Sequence, residues 1–359
     1  MRVLIVTGSS GGHIFPALAL ADALKNSGQK VQLVLPEDGR KNRIPFDFTQ
    51  TKYIHAAKLS FRLNKKNILG VYFFLWGAWQ ALRIIIEFKP LVVVGFGSLN
   101  SLPIMFWAWL FRIKTIIHEQ NVVGGRANRL LSKLVDRVAI SFSQTRNYLN
   151  VSGEKIVLTG NPLRRDLVRM DKKEALDFFN LKEGKFTILI TGGSQGSHRL
   201  NAACFEALST YQKKDDLQVI HICGTQDFTW LAAGYAALSL TYKLFDFLLQ
   251  MQYAYSAADL IICRAGATTI AELQKFRVPA ILVPYPFAYA HQLANARILE
   301  DLKAALIIQD EELTAEKLSV KFLDFLENPG KLEFMRQAYA RLPVLNAAQL
   351  LAKEVLTLS

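Results

Sequence analysis

Short apolar runs alternate with helix-like stretches along nearly the whole chain. In the first half the runs are residues 3–6, 31–35, 91–94, 115–118, 138–141 and 156–159. In the second half they are residues 187–190, 218–222, 260–263, 280–283 and 305–308. Runs this short and rich in β-branched residues, with helices between them, predict parallel sheets covered on both faces. Two of them end in glycine-rich turns that lead into helices: Thr7-Gly8-Ser9-Ser10-Gly11-Gly12-His13 and Thr191-Gly192-Gly193-Ser194-Gln195-Gly196-Ser197. Such a turn aims backbone N–H groups and the positive end of a helix at one point, which suits a phosphate. With the turns half a chain apart, the pattern predicts an α/β fold of two Rossmann-like domains facing each other across a cleft.

Gly160-Asn161-Pro162-Leu163-Arg164 breaks regular structure before a charged helical stretch and marks the boundary. The expected domains are residues 1–160 and 161–339, with a helix over about 340–359 that could pack back on the first. One apolar, aromatic segment over residues 68–86 follows Lys58, Arg62, Lys65 and Lys66; a second, over 102–111, ends at Arg112. A spanning helix needs ~20 predominantly apolar residues. Gln80 and Arg83 interrupt the first segment, and the second is too short. Aromatic residues beside a basic cluster predict a helix lying at a membrane interface, with ordinary core helices as the alternative.

A chain of 359 residues can bury two cores. Its 43 Lys and Arg against 30 Asp and Glu leave a net charge of +13, which calls for an anionic partner: nucleic acid, an acidic membrane surface or a phosphorylated substrate. Zinc-finger spacing, RNP-type aromatics and basic regions with heptads are all missing, so nucleic acid is not expected. Cys204, Cys223 and Cys263 are too scattered for a disulfide framework or a CxxC metal site and read as core residues. The opening residues read as a first parallel strand rather than a signal peptide, which implies the cytoplasm.

Candidate chemistry sits at the ends of the strands. His13 closes the first glycine turn, where an imidazole suits a general base; satisfying a loop carbonyl is the plainer role. His118-Glu119-Gln120-Asn121 ends another strand, the place where open α/β sheets hold ligands, with Gly124-Gly125 just beyond. Glu272, on the helix after a second-half strand and its Gly266 turn, could accept bonds from both hydroxyls of a ribose, although taken alone an exposed helix glutamate is the plainer reading. Gln292 and Asn295 share a helical face and could recognise sugar hydroxyls. There is no Asp-x-Asp pair, metal cluster or P-loop lysine, so a leaving diphosphate would rely on N–H groups and basic residues.

Gly11-Gly12-His13, His118 to Asn121, Gly160 to Arg164, Gly192 to Gly196, Arg264 to Glu272 and His291 to Ala296 occur in the order seen in the MurG family, which the chain resembles over nearly its whole length. The resemblance implies a GT-B glycosyltransferase that is inverting and needs neither metal nor cofactor. It implies transfer of N-acetylglucosamine from UDP-N-acetylglucosamine to a lipid-linked muramyl-peptide, at the anionic cytoplasmic face of the plasma membrane. His13 would be the base. Ser194, Gln195 and Gly196 would meet the diphosphate with Arg164 nearby, Glu272 the ribose, and the backbone near Leu248 the uracil. Gln292, Asn295 and Asn121 would touch the sugar. Ser10, Gly11, Gly12, Ala267 and Thr268 complete the donor side, and Gly95, Gly97, Ser98, His118 and Glu119 form the acceptor side. The chain departs from the family at Ser9-Ser10, at Ser98-Leu99 (in place of glycine and tyrosine) and at Ala290. Competing readings are a UDP-sugar transferase with another lipid acceptor such as diacylglycerol, a UDP-sugar 2-epimerase and a non-catalytic nucleotide-sugar scaffold at the membrane. A dinucleotide oxidoreductase fits least, because neither turn matches G-x-G-x-x-G.

Overall fold

A computed structural model describes residues 1–37, 51–55, 65–286, 291–343 and 345–358, without the side chains of 65–74. Lys58, Arg62 and Ala290 lie outside the described residues, as do the side chains of Lys65 and Lys66. The chain forms two compact units, Met1–Arg164 with Leu345–Ser359, and Arg165–Val344.

The first unit contains β1 (Arg2–Val6), α1 (Gly11–Asn26), β2 (Lys30–Pro36), β3 (Thr51–Ile54), α2 (Lys65–Phe88), β4 (Val92–Gly95), α3 (Leu102–Leu110), β5 (Lys114–Glu119), α4 (Arg126–Leu131), β6 (Arg137–Ile140) and β7 (Ile156–Leu158). Its strands form one sheet in the order β3-β2-β1-β4-β5-β6-β7, with every pairing parallel. Successive strand residues point to opposite faces. Val3 and Ile5 of β1 therefore pack beneath Leu20 and Leu24 of α1, while Leu4 and Val6 join Ile84 and Ile85 of α2 on the other face.

The second unit runs α5 (Lys172–Phe178), β8 (Phe186–Thr191), α6 (His198–Thr210), β9 (Leu217–Ile222), α7 (Phe228–Ala236), β10 (Thr241–Phe245), α8 (Met251–Ala257), β11 (Leu260–Cys263), α9 (Ala267–Phe276), β12 (Ala280–Leu282), α10 (His291–Asp301), β13 (Ala305–Ile307), α11 (Ala315–Glu327) and α12 (Pro329–Ala338). Its sheet is also parallel, in the order β10-β9-β8-β11-β12-β13. The last helix, α13 (Ala347–Thr357), belongs to the first unit, where Leu351, Ala352 and Val355 complete the α1 side of the core.

Two strands lie outside the sequence expectation, β3 and β10. Both are sheet edges and neither is fully buried, so they carry Lys52 and Lys243 among half-exposed residues rather than a continuous apolar run. Among the described residues, no helix is long and apolar enough to cross a membrane.

The strand orders position the chemistry. In an open parallel sheet, ligands bind outside the carboxyl ends of the strands where the order reverses, because successive connections there diverge to opposite faces. The reversal falls between β1 and β4 in the first unit and between β8 and β11 in the second. Both glycine-rich turns leave the sheet at those points.

Two imidazoles are locked inside the units. His118 bonds the Gly160 carbonyl through Nε2 at 3.0 Å, and His221 lies between Tyr235 Oη at 2.9 Å and Asn201 Oδ1 at 3.1 Å. Burial pushes their pKa values down to about 4 and about 3. An unfolded histidine titrates near ~6.5, so the unfolded chain takes up protons first as pH falls. Their contribution to stability is therefore complete above about pH 6.5 and drains away as the pH falls toward 4. Urea denaturation across that window should show the decline, and His221→Gln should make it shallower.

Candidate active site

At the first unit's switch point, Ser10 is the N-cap residue of α1, and its Oγ lies 2.7 Å from His13 Nδ1. Desolvation pushes the His13 pKa down to about 4, so the ring is neutral at neutral pH although its edge reaches solvent. When Nδ1–H donates to Ser10, the Nε2 lone pair is left to receive a proton. Gly11 is buried; Gly12 is exposed, and a Cβ there would meet only open space.

The neighbouring turn after β4 interlocks with this one. Gly97 and Ser98 both have positive φ, and Ser98, at φ 72° and ψ 149°, occupies a region that is essentially glycine's alone. A Cβ placed on Gly8 would lie 2.8 Å from Ser98 Cβ and 3.3 Å from His13 Nδ1. The two turns thus meet where Gly8 has no side chain. Gly95 is closed off by Met105, whose Sδ would lie 3.0 Å from an added Cβ.

The 118–121 segment needs correcting. His118 and Glu119 were expected to face the acceptor, and the structure buries both. Glu119 Oε1 accepts the N–H of Asn121 at 2.9 Å and its Nδ2 at 3.3 Å, while Oε2 accepts Gly125 N–H at 2.9 Å and Asn128 Nδ2 at 2.8 Å. The carboxylate is satisfied by amides and shapes the loop from inside. Asn121 is half-buried, its amide already turned toward that carboxylate. Asn128, absent from the sequence reading, also donates to His118 O at 3.2 Å and sits directly behind Gly97. Arg164 stays with the first unit, its guanidinium 5.0 Å from the centre of the Phe15 ring.

The second unit's turn is tighter. Gly193 and Gly196 have φ of 88° and 76°, and a Cβ on Gly196 would fall 2.2 Å from Cys223 O. Gly224, with φ 84°, completes the contact from the end of β9. Gly196 N–H closes the turn on Gly193 O at 3.0 Å, so this glycine shapes the loop rather than donating outward. Ser194 and Gln195 are exposed at its tip.

Beneath the turn lies Arg264, buried. Its guanidinium donates to Ser197 Oγ at 2.7 Å, Val283 O at 3.1 Å and Asp310 Oδ1 at 2.5 Å. Asp310 carried no sequence signal, because it stands in a short turn after β13, remote in sequence from any motif. Gln292 Oε1 accepts from Ala265 N–H at 3.1 Å and Tyr285 N–H at 3.0 Å. Asn295 is fully buried, donating to Ala265 O at 3.2 Å, and this corrects the expectation that it meets a sugar: it braces the strand end. Ala267 is buried at the start of α9, Thr268 is half-buried beside it, and Leu248 is buried after β10. Glu272, half-buried on α9, accepts from Tyr255 Oη at 2.7 Å. Among the described residues, no group of His, Cys, Asp and Glu could hold a metal ion.

The Gly8–Ser98 contact can be tested directly. Gly8→Ala should destabilise the first unit, whereas Ser98→Gly should raise stability by ~1–3 kcal/mol by releasing backbone strain. In the double variant the Gly8→Ala penalty should shrink, and a thermal-unfolding double-mutant cycle reads that coupling.

Residues 3–140 match the glycosyltransferase family 28 N-terminal domain, and residues 187–353 match the glycosyltransferase family 28 C-terminal domain. The chain is 38% identical over 355 residues to the UDP-N-acetylglucosamine–N-acetylmuramyl-(pentapeptide) pyrophosphoryl-undecaprenol N-acetylglucosamine transferase of Halothermothrix orenii, covering 95% of each. It is 37% identical to the protein of that name from Thermodesulfovibrio yellowstonii, over 94% of this chain and 93% of that one. The crystal structure of Acinetobacter baumannii MurG superposes with a TM-score of 0.76 at 31% identity, over 99% of both chains. Two parallel-sheet Rossmann-like units with these matches constitute the GT-B fold.

Proposed function

We propose, because the chain belongs to the UDP-N-acetylglucosamine–N-acetylmuramyl-(pentapeptide) pyrophosphoryl-undecaprenol N-acetylglucosamine transferase (MurG) family, that it catalyses that transfer. The donor is UDP-N-acetylglucosamine. The acceptor is the muramyl 4-hydroxyl of an undecaprenyl-pyrophosphoryl muramyl-peptide, so lipid I becomes lipid II. The observation that carries this reading is the second unit's switch point. One strand reversal gathers a glycine turn with an exposed Ser194-Gln195 tip, buried Arg264 behind it and the Glu272 carboxylate on the next helix.

In this reading the donor's diphosphate lies against the turn, where N–H groups, the positive end of α6 and the Arg264 charge meet it. Glu272 takes the ribose hydroxyls, the backbone near Leu248 reads the uracil, and Gln292 and Asn121 serve the sugar. The acceptor hydroxyl attacks the anomeric carbon as the bond to the UDP oxygen breaks, with inversion. His13 Nε2 receives the hydroxyl proton, and Ser10 holds the ring in the tautomer that leaves this nitrogen open. Charge developing on the departing UDP is stabilised by groups already in place.

A surface of the first unit supports peripheral attachment to an anionic cytoplasmic membrane face. Trp76 and Trp79 of α2 stack 5.1 Å apart and are exposed, as are Phe106, Trp109 and Leu110 of α3 and Phe111 just after it. Exposed Arg83 and Arg112 accompany them. Trp107 Nε1 donates to Ala78 O at 2.8 Å and fastens the two helices together. Aromatic side chains flanked by basic ones suit the headgroup layer.

His13→Ala should lower turnover by ~10²–10⁴-fold. Calorimetry should find UDP affinity within about twofold of wild type; equal losses in both would remove His13 from the base role. The whole reading is tested with labelled UDP-N-acetylglucosamine and a short-chain lipid I analogue, where product is expected. Product with diacylglycerol instead would reassign the acceptor, and turnover without any acceptor would favour an epimerase. For the membrane face, Trp79→Glu with Trp109→Glu should weaken co-sedimentation with phosphatidylglycerol vesicles by tenfold or more; unchanged binding would move the contact elsewhere.

A further inference from the structure

We propose that Tyr255 is a positioning residue for nucleotide recognition: its buried phenol fixes Glu272 so that the carboxylate distinguishes ribose from deoxyribose. The inference rests on the reading of Glu272 as the ribose partner. Tyr255, on α8, is among the largest fully enclosed side chains, 2% exposed. Its ring stacks on Phe276 with centroids 5.1 Å apart and planes 28° from parallel, and its Oη donates to Glu272 Oε2 at 2.7 Å. Glu272 and Phe276 stand four residues apart on α9, hence on one face of it. One tyrosine therefore spans that face, held by the phenylalanine at its ring and holding the glutamate at its tip.

The chemistry of the phenol matters. Glutamate has three side-chain torsions, and a half-exposed one without a fixed neighbour samples many rotamers. A hydrogen bond from a rigid, packed donor selects one of them before any ligand arrives, so less order has to be imposed on binding. A phenol is neutral at working pH, unlike lysine or arginine, and leaves the carboxylate its full charge. An ionised carboxylate offers about four lone-pair sites, more than one phenol and two adjacent hydroxyls require. A nucleotide lacking the 2′-hydroxyl would strand one of those oriented lone pairs.

The test uses calorimetric binding of UDP and 2′-deoxy-UDP to the full chain in wild-type, Tyr255→Phe and Glu272→Ala forms. Tyr255→Phe keeps the stack on Phe276 and removes only the hydroxyl. Wild type should prefer UDP. Tyr255→Phe should shrink that preference ~3–10-fold, the scale of one hydrogen bond, mainly through weaker UDP binding. Glu272→Ala should abolish it. If Glu272→Ala abolishes the preference and Tyr255→Phe leaves it intact, the positioning role is wrong and the ribose reading stands. If Glu272→Ala retains the preference, the ribose reading fails and this inference with it. Equal loss of both ligands in Tyr255→Phe leaves the ratio unchanged and also counts against the proposal, as general damage to the fold.

Discussion

A parallel sheet cannot return its chain by a hairpin, so every strand hands on to a crossover at the same edge of the sheet. Where the strand order reverses, two neighbouring crossovers part to opposite faces, and the edge between them lies open. In this chain those places are β1 beside β4 and β8 beside β11. Backbone must pass very near backbone there, which imposes a steric demand on both turns. At the first reversal Gly8 leaves room for Ser98, and on the β9 side of the second turn Gly196 and Gly224 press against each other with positive φ. Side chains at these points would force the turns apart and remove the surface on which a phosphate could rest.

Behind each turn stand buried polar residues that hydrogen-bond within their own unit, with Asn128 Oδ1 left unpaired. Glu119 and Asn128 hold the loop after β5, while Arg264 ties Ser197 to the ends of β12 and β13 through Val283 O and Asp310. Removing one partner of a buried pair such as Arg264–Asp310 strands an uncompensated charge, at a cost of ~3–5 kcal/mol. The same pairing holds a guanidinium and its N–H donors beneath the second turn, with Asp310 as the counter-charge. Rigidity and electrostatics are supplied by one side chain.

The two units answer different chemical needs. The second offers a phosphate-type turn and a carboxylate held by a buried phenol. The first offers a neutral imidazole oriented by a serine, and an aromatic surface with arginines on it. In the base role proposed for it, His13 would need to rest neutral, and desolvation keeps it so.

Much of this was legible in the chain. Eleven strands, both glycine turns and the family all followed from local signals: β-branched runs, glycine spacing and motif order. β3 and β10 did not, because an edge strand is paired on one side only and needs little apolar character. His118 and Glu119 looked like ligand groups because they end a strand, and Asn295 because it shares a helical face with Gln292. Only packing showed that they point inward, and only packing joined Arg264 to Asp310 and Tyr255 to Glu272, pairs separated by 46 and 17 residues. Backbone turns are specified locally by steric rules and can be read from a few consecutive letters. Whether a polar side chain serves a ligand or the protein itself depends on what long-range folding brings against it, and that information resides in no short stretch of sequence.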